Sequence, residues 1–319
     1  MDRQLSKPTI SLVLGGGGAR GFAHIGVIQV LKTYFQIKSI AGTSIGALIG
    51  AMEALGKLEQ FEEWAKGLKT RNKFGLLKWH WRKLDGVKKF TINIDKLFAE
   101  MDQFFQEKKI EQLPISFTAV AVDLNSKREV WLQQGDLKEA VRASVAIPQM
   151  IPPVYRNGQV LVDGGILNLL PIAPVIPDRT DLIVAVNLYG DDFSITIPPH
   201  PHPNLKAKFW DSLFRSDLVV EEAIYLMMET LMKYRKVEYR PDIQIKIPRH
   251  IGKWYEFYYI DYFISVGKAV ATQVINNYIE YQLTMEQNRN SSNREIPKKW
   301  RPGELSFFHK LIKIRNREG

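Results

Sequence analysis

Apolar positions along this chain alternate between two spacings. Near residues 9–14, 37–41, 115–124, 128–132, 160–162, 181–188 and 242–246 they form short runs rich in Val, Ile and Leu, as buried strands do. Near 20–34, 44–56, 58–68, 94–105, 136–144, 217–235 and 261–283 they recur every three or four positions, as on one face of a helix. The clearest case is Ile45, Leu48, Ile49, Met52 and Leu55. The alternation predicts an α/β fold, a three-layer α/β/α arrangement with a mainly parallel central sheet. Loops that handle ligands then belong at the carboxyl ends of strands. Residues 286–303 are polar, with Asn288, Asn290, Asn293, Pro297 and Pro302, and read as a linker. It divides a domain over 1–285 from a basic amphipathic helix over 304–319.

The joint between the second strand and the second long helix carries chemistry. Residues 42–46 read Gly-Thr-Ser-Ile-Gly, which puts Ser44 inside G-x-S-x-G between a strand and a helix. That is the context of a nucleophile elbow, where a sharp turn holds the serine hydroxyl at its apex. Gly42 and Gly46 leave room for the turn and for a substrate. The plainer alternative is a serine that only caps a helix.

A second signal follows the first strand. Residues 15–21 read Gly-Gly-Gly-Gly-Ala-Arg-Gly and lead into a helix. Consecutive glycines let backbone N–H groups converge on an anion. Gly16, Gly18 and Gly21 also spell G-x-G-x-x-G, so the anion is either a dinucleotide pyrophosphate or the oxyanion of acyl transfer. A dinucleotide site needs an acidic residue at the end of the next strand, about 20 residues on. Here that strand ends in the serine elbow with no Asp or Glu. The pairing of loop and elbow favours one hydrolytic site.

A third element is Asn157-Gly158, a hairpin turn, followed by a short strand ending in Asp163-Gly164-Gly165. Alone, Asp163 reads as a turn residue. Beside an elbow and a glycine loop it is the best candidate for a base.

These three motifs, in this order, resemble the patatin-like phospholipases, and most closely the small bacterial members related to the catalytic domain of neuropathy target esterase. The run Ala143-Ser144-Val145-Ala146-Ile147-Pro148, with Ile151-Pro152-Pro153-Val154 after it, is similar to that family's segment ahead of the acid. So is Arg240-Pro241-Asp242 ahead of a late helix, and the resemblance covers about residues 8–280. It implies a Ser–Asp dyad without a catalytic histidine. Ser44 would be the nucleophile and Asp163 its base. The N–H groups of Gly16, Gly17 and Gly18 would form the oxyanion hole, with Arg20 in the motif's basic position. The implied substrate is a phospholipid or lysophospholipid. Plant-type members begin the glycine motif with Asp, where this chain has Gly15.

The histidines fit that reading. His250 could fill the last place of a Ser–Asp–His order, but it lies in the basic turn Pro248-Arg249-His250, while His200 and His202 sit among Pro198, Pro199, Pro201 and Pro203 and read as a surface loop. His24 falls one turn into the glycine-loop helix and reads as structural. No H-E-x-x-H or paired-cysteine pattern is present, so neither a metal nor another cofactor is expected. The chain has no cysteine, which leaves the redox compartment open. Residues 1–8 lack a signal-peptide core and no apolar run is long enough to span a bilayer. A cytoplasmic protein, peripheral at the inner face of the membrane, is the expectation.

Charge changes the picture of the partner. The net charge is +10, yet residues 66–90 alone carry nine basic side chains against Asp85, and residues 289–319 carry nine against three acidic ones. Aromatic residues interleave with both clusters, which suits an anionic lipid surface. Trp79, Trp81, Lys88, Lys89, Phe308 and Lys310 are the contact candidates. Basic and aromatic residues together also fit nucleic acid, but the lipase-like motifs favour a membrane, and no nucleic acid is expected. A solvated basic face with core-facing aromatics is the remaining alternative.

Overall fold

The computed structural model describes residues 7–70, 79–84, 87–92, 94–191, 195–201 and 218–291. Its centre is an eight-stranded sheet of mixed, mostly parallel strands flanked by helices. In chain order the elements are β1 (Thr9–Leu14), α1 (Ala23–Tyr34), β2 (Gln36–Thr43), α2 (Ile45–Ala54), α3 (Leu58–Thr70), β3 (Trp79–Leu84) and β4 (Val87–Ile92). There follow α4 (Ile94–Phe105), β5 (Ser116–Asp123), β6 (Arg128–Leu132), α5 (Leu137–Ser144), β7 (Val154–Arg156) and β8 (Gln159–Asp163). The last are β9 (Leu182–Gly190), α6 (Leu218–Glu238), β10 (Ile243–Pro248) and α7 (Ile260–Ser291).

The strand order is β10-β9-β1-β2-β5-β8-β7, with β6 also paired to β5. Strands β10, β9, β1, β2 and β5 run parallel, while β5 pairs antiparallel with β8 and β6. Strand β1 lies inside the parallel part, and Ile10, Leu12, Val13 and Leu14 are all buried. That is why its apolar run is continuous rather than alternating.

Register sets the site. Leu14 pairs with Gly42, so the glycine loop after β1 and the elbow after β2 leave the sheet side by side. Thr43 pairs with Val120, and the next residue of β5, Ala121, pairs with Asp163. Strand β8 therefore enters from the far end and stops level with the elbow. The sequence reading put all three motifs at carboxyl ends of strands, and they are. Its parallel arrangement does not extend to β8, whose reversed direction is what lets a short strand end beside Ser44. Asn157 and Gly158 turn the β7–β8 hairpin at φ 48° and 76°, the left-handed pair a tight hairpin needs.

The periodicity did not announce β3 and β4, an antiparallel hairpin apart from the main sheet. Trp79 and Trp81 fall on β3, and Lys88 and Lys89 on β4. Phe308 and Lys310, with the whole expected terminal helix, lie outside the described residues. Helix α7 runs to Ser291, six residues into the stretch read as linker.

Helices α1 and α7 cross with almost no space between their backbones. A Cβ on Gly267 would lie 2.0 Å from the Ala23 carbonyl oxygen, and one on Gly26 would lie 2.1 Å from that of Ile264. Gly67 in α3 faces open space instead. Gly267→Ala should therefore destabilise the protein by about 1–3 kcal/mol through overpacking, which outweighs the helix-propensity gain. Gly67→Ala should stabilise it by about 0.5–1 kcal/mol. Urea denaturation of both variants checks this, and shifts of the same sign would contradict the crossing.

Candidate active site

Ser44 alone makes the turn between β2 and α2. Its backbone lies at φ 57° and ψ −127°, a conformation that costs a residue with a Cβ about 1–3 kcal/mol. Neighbours hold it there. The Ser44 N–H donates to Ser144 Oγ at 2.9 Å, and the Ser144 hydroxyl donates onward to the Val120 carbonyl at 2.6 Å. The Ser44 carbonyl accepts from the Ala47 N–H at 2.9 Å and begins α2. Thr43 Oγ1 donates to the Asn168 carbonyl at 2.8 Å. The turn is also tight. A Cβ on Gly46 would lie 2.1 Å from the Leu14 carbonyl oxygen, and one on Gly42 would lie 2.5 Å from the Ala47 nitrogen.

The glycine loop runs beside the elbow. The Gly15 and Gly16 N–H groups donate to the carbonyls of Val186 and Leu169, each at 3.0 Å, and the Ala19 N–H donates to Trp254 at 2.6 Å. Of the three N–H groups expected in the oxyanion hole, that of Gly16 is the one engaged here, by the Leu169 carbonyl. Between these ties the N–H groups of Gly17 and Gly18 have no hydrogen-bond partner among the described residues. Gly16 passes close to the nucleophile: a Cβ on it would lie 3.4 Å from Ser44 Cβ. Gly21 packs on the first residue of α2, where a Cβ would lie 2.3 Å from Ile45 Cγ2.

His24 fixes the start of this loop. It is fully buried, and its Nε2–H donates to the Gly15 carbonyl at 2.8 Å. A carbonyl only accepts, so the proton sits on Nε2 and leaves Nδ1 buried without a partner. Burial pushes the imidazole down to about 4 against the pull of the Gly15 carbonyl, so at neutral pH it is an uncharged strut.

Asp163 ends β8, anchored by its N–H to the Ala146 carbonyl at 3.0 Å. One carboxyl oxygen, Oδ1, accepts from the Gly165 N–H at 2.7 Å. The other, Oδ2, is buried and has no hydrogen-bond partner among the described residues. Loss of water pushes the Asp163 pKa up to about 6, opposed first by the Ser44 hydroxyl and then by the Gly165 amide. The serine is thus near enough to bear on the carboxyl, though no hydrogen bond of ordinary geometry joins them. No histidine touches Asp163 among the described residues, and His250 is exposed on the turn after β10. Gly164 lets the chain leave against β5, where a Cβ would meet the Val120 carbonyl oxygen at 2.3 Å.

Arg20 is buried beside the loop. Its Nε donates to the Gly17 carbonyl at 3.4 Å and its Nη1 to the Arg249 carbonyl at 3.3 Å. The guanidinium lies 4.5 Å from the centre of the Tyr189 ring, and Nη2 has no hydrogen-bond partner among the described residues. This cation is held by a carbonyl pair and an aromatic face rather than by a carboxylate.

The structure brings Ser44, Asp163, Gly17, Gly18 and Arg20 to one place. Sequence reasoning missed the residues that hold them. Ser144 stood inside a quoted run, but nothing in its spacing marked its hydroxyl as the support of the Ser44 backbone. The Asn168 and Leu169 carbonyls, which tie down elbow and glycine loop, left no side-chain signal at all.

Residues 12–176, more than half of the chain, match the family model described as patatin-like phospholipase, and the chain belongs to that family. An uncharacterized NTE family protein of Mycobacterium tuberculosis (strain ATCC 25618 / H37Rv) is 41% identical over 216 residues, which cover 67% of this chain and 58% of that protein. Patatin-like phospholipase domain-containing protein 6 of Mus musculus is 29% identical over 299 residues, which cover 85% of this chain and 21% of that protein. A crystal structure of VipD from Legionella pneumophila aligns at a TM-score of 0.43 and 12% identity over 98% of this chain and 74% of that one. The chain thus spans 58% of the length of its mycobacterial relative.

Two stability effects follow from this geometry. Ser44→Gly should be more stable than Ser44→Ala by about 1–3 kcal/mol, because glycine relieves the backbone strain and alanine keeps it. Equal denaturation midpoints would remove the strain. Asp163 works in the pH dependence. Its folded pKa of about 6 exceeds the unfolded value of 3.8, so its contribution is intact below 3.8 and is lost as pH rises through about 6. The loss amounts to about 3 kcal/mol. Asp163→Asn should abolish that slope between pH 4 and 8, and an unchanged slope in urea titrations would show the carboxyl to be solvated.

Proposed function

We propose that the protein is a serine acyl hydrolase of phospholipid or lysophospholipid esters. The observation that carries the reading is the desolvated Asp163 carboxyl beside the hydroxyl of a strained elbow serine. A carboxyl with a pKa near 6 is ionised at neutral pH yet basic enough to take a proton, which suits a general base. Ser44 Oγ attacks the ester carbonyl carbon as its proton passes to Asp163. Negative charge develops on the carbonyl oxygen, where the Gly17 and Gly18 amides and the N-terminal end of α2 favour it. The tetrahedral intermediate collapses to a Ser44 ester, and the leaving alcohol takes the proton from Asp163. Water, deprotonated in turn by Asp163, then releases the fatty acid and restores Ser44.

The lipid nature of the substrate rests on family membership and on the basic charge of the chain. Among the described residues no helix is long and apolar enough to cross a membrane. Contact with an anionic bilayer would therefore be peripheral, and the basic, aromatic hairpin of β3 and β4 belongs to this proposal. The intact pair of Ser44 and Asp163 speaks against a catalytically silent module of the same fold.

Ser44→Ala should abolish hydrolysis of p-nitrophenyl butyrate and of phospholipid without loss of fold. Asp163→Asn should lower kcat by about 10²–10⁴, whereas His250→Ala should leave it within a few-fold. Steady-state kinetics with circular dichroism tests the set. Full activity in folded Ser44→Ala, or a loss in His250→Ala as deep as in Asp163→Asn, would contradict it.

A further inference from the structure

Helix α6 covers the site with one face and presents the wrong kind of surface with the other. On its inner face the Tyr225 ring packs 5.7 Å from Tyr189 and lies over two guanidinium groups, those of Arg20 at 5.9 Å and Arg249 at 4.9 Å. One turn on, the Met228 methyl lies where a Cβ on Gly165 would meet it at 3.0 Å, next to Asp163 Oδ1. Met232 is buried in the core. Glu222, at the start of the helix, pairs with Arg249, and Arg235, near its end, pairs with Glu129 at 2.9 Å. The helix is clipped at both ends and lies against the Asp163–Gly165 turn and Arg20.

Its outer face should be polar if it simply met water. It is not. Ile224, Met227, Leu231 and Tyr234 recur at i, i+3, i+7 and i+10, with Leu226 and Val237 beside them, and all six are between 39% and 73% exposed. Glu229 and Lys233 fall along one edge and pair with each other at 2.7 Å. From residue 223 to 237 the outward arc carries no charge. A face of four turns is far more apolar surface than scattered exposed residues would leave.

We propose that α6 is an interfacial lid: its outer face docks into an anionic lipid surface, and the displacement that follows uncovers Ser44 and Asp163. This rests on the reading of the site as a lipid acyl hydrolase. The occupant is a bilayer rather than a protein, for two reasons. Fifteen helical residues span about 21 Å, so a single helix face offers a few hundred Å² at most, against roughly 800 Å² per partner in a stable protein interface. Charge agrees as well. The chain carries +10, and Arg240 stands exposed just past the carboxyl end of the helix, as at the rim of an interfacial helix. Ser44 and Asp163 are both more than 90% buried, so a lipid ester reaches them only if something moves, and α6 is the cover whose outside matches the substrate's own environment.

The test uses the full chain and mixed phosphatidylcholine–phosphatidylglycerol vesicles. The chain has no cysteine, so Met227→Cys accepts one environment-sensitive dye. Its emission should move to the blue when vesicles are added. The combined Ile224→Gln, Met227→Gln, Leu231→Gln variant should lose roughly tenfold or more in vesicle affinity and in phospholipid turnover. Its rate on soluble p-nitrophenyl butyrate should not fall. A silent dye on sedimented protein, wild-type vesicle turnover in the triple variant, or a concentration-dependent dimer that the triple variant abolishes would each overturn the lid. Failure of the hydrolase reading looks different: neither protein cleaves the soluble ester, while the dye at residue 227 still responds.

Discussion

The carboxyl of Asp163 lies where water does not reach, and much of the structure around it arranges that exclusion. An ionised carboxylate is poorly tolerated in such a place unless its oxygens are satisfied. Here one oxygen has the Gly165 amide and the other has no hydrogen-bond partner among the described residues. The result is a group that holds its proton up to about pH 6 and takes one readily above that. Stability is given up at neutral pH to keep the carboxyl buried. Ser44 shows the same exchange in its backbone, held at a conformation glycine would prefer. Each site has its own supports: Ser144 and the Asn168 carbonyl hold the elbow, and the Ala146 carbonyl holds Asp163.

Much of this was legible in the residues. The strand–turn–helix context of Ser44, the glycine run and the Asp-Gly-Gly turn each carry a local signal, because each needs particular residue types to make an unusual turn. The parallel strands were legible because burial on both faces leaves continuous apolar runs. What stayed hidden was relational. That β8 runs backwards and stops level with Thr43 depends on pairing between strands far apart in the chain, and no local pattern encodes it. The commitment of the Gly16 amide to Leu169 is a backbone contact, blind to side-chain chemistry. The β3–β4 hairpin escaped notice because Arg82, Lys83, Lys88 and Lys89 break its apolar alternation.

Membership of the patatin-like phospholipase family and the geometry of the site point the same way, yet they are independent. The family match ends at residue 176, so it contains Ser44, Asp163 and the glycine loop but not α6. The helix that sets Tyr225 on the guanidinium pair and Met228 beside Gly165 belongs to the part of the chain beyond that match.

The central claim is that Asp163 activates Ser44 without a histidine. Fluorophosphonate labelling, followed by peptide mapping and repeated across pH, tests it most directly. The account predicts a single label on Ser44, with a labelling rate that climbs through about pH 6 and then levels off, and that falls by orders of magnitude in Asp163→Asn. A label on another residue, or labelling of Ser44 that is insensitive to Asp163→Asn and lost in His250→Ala, would contradict it.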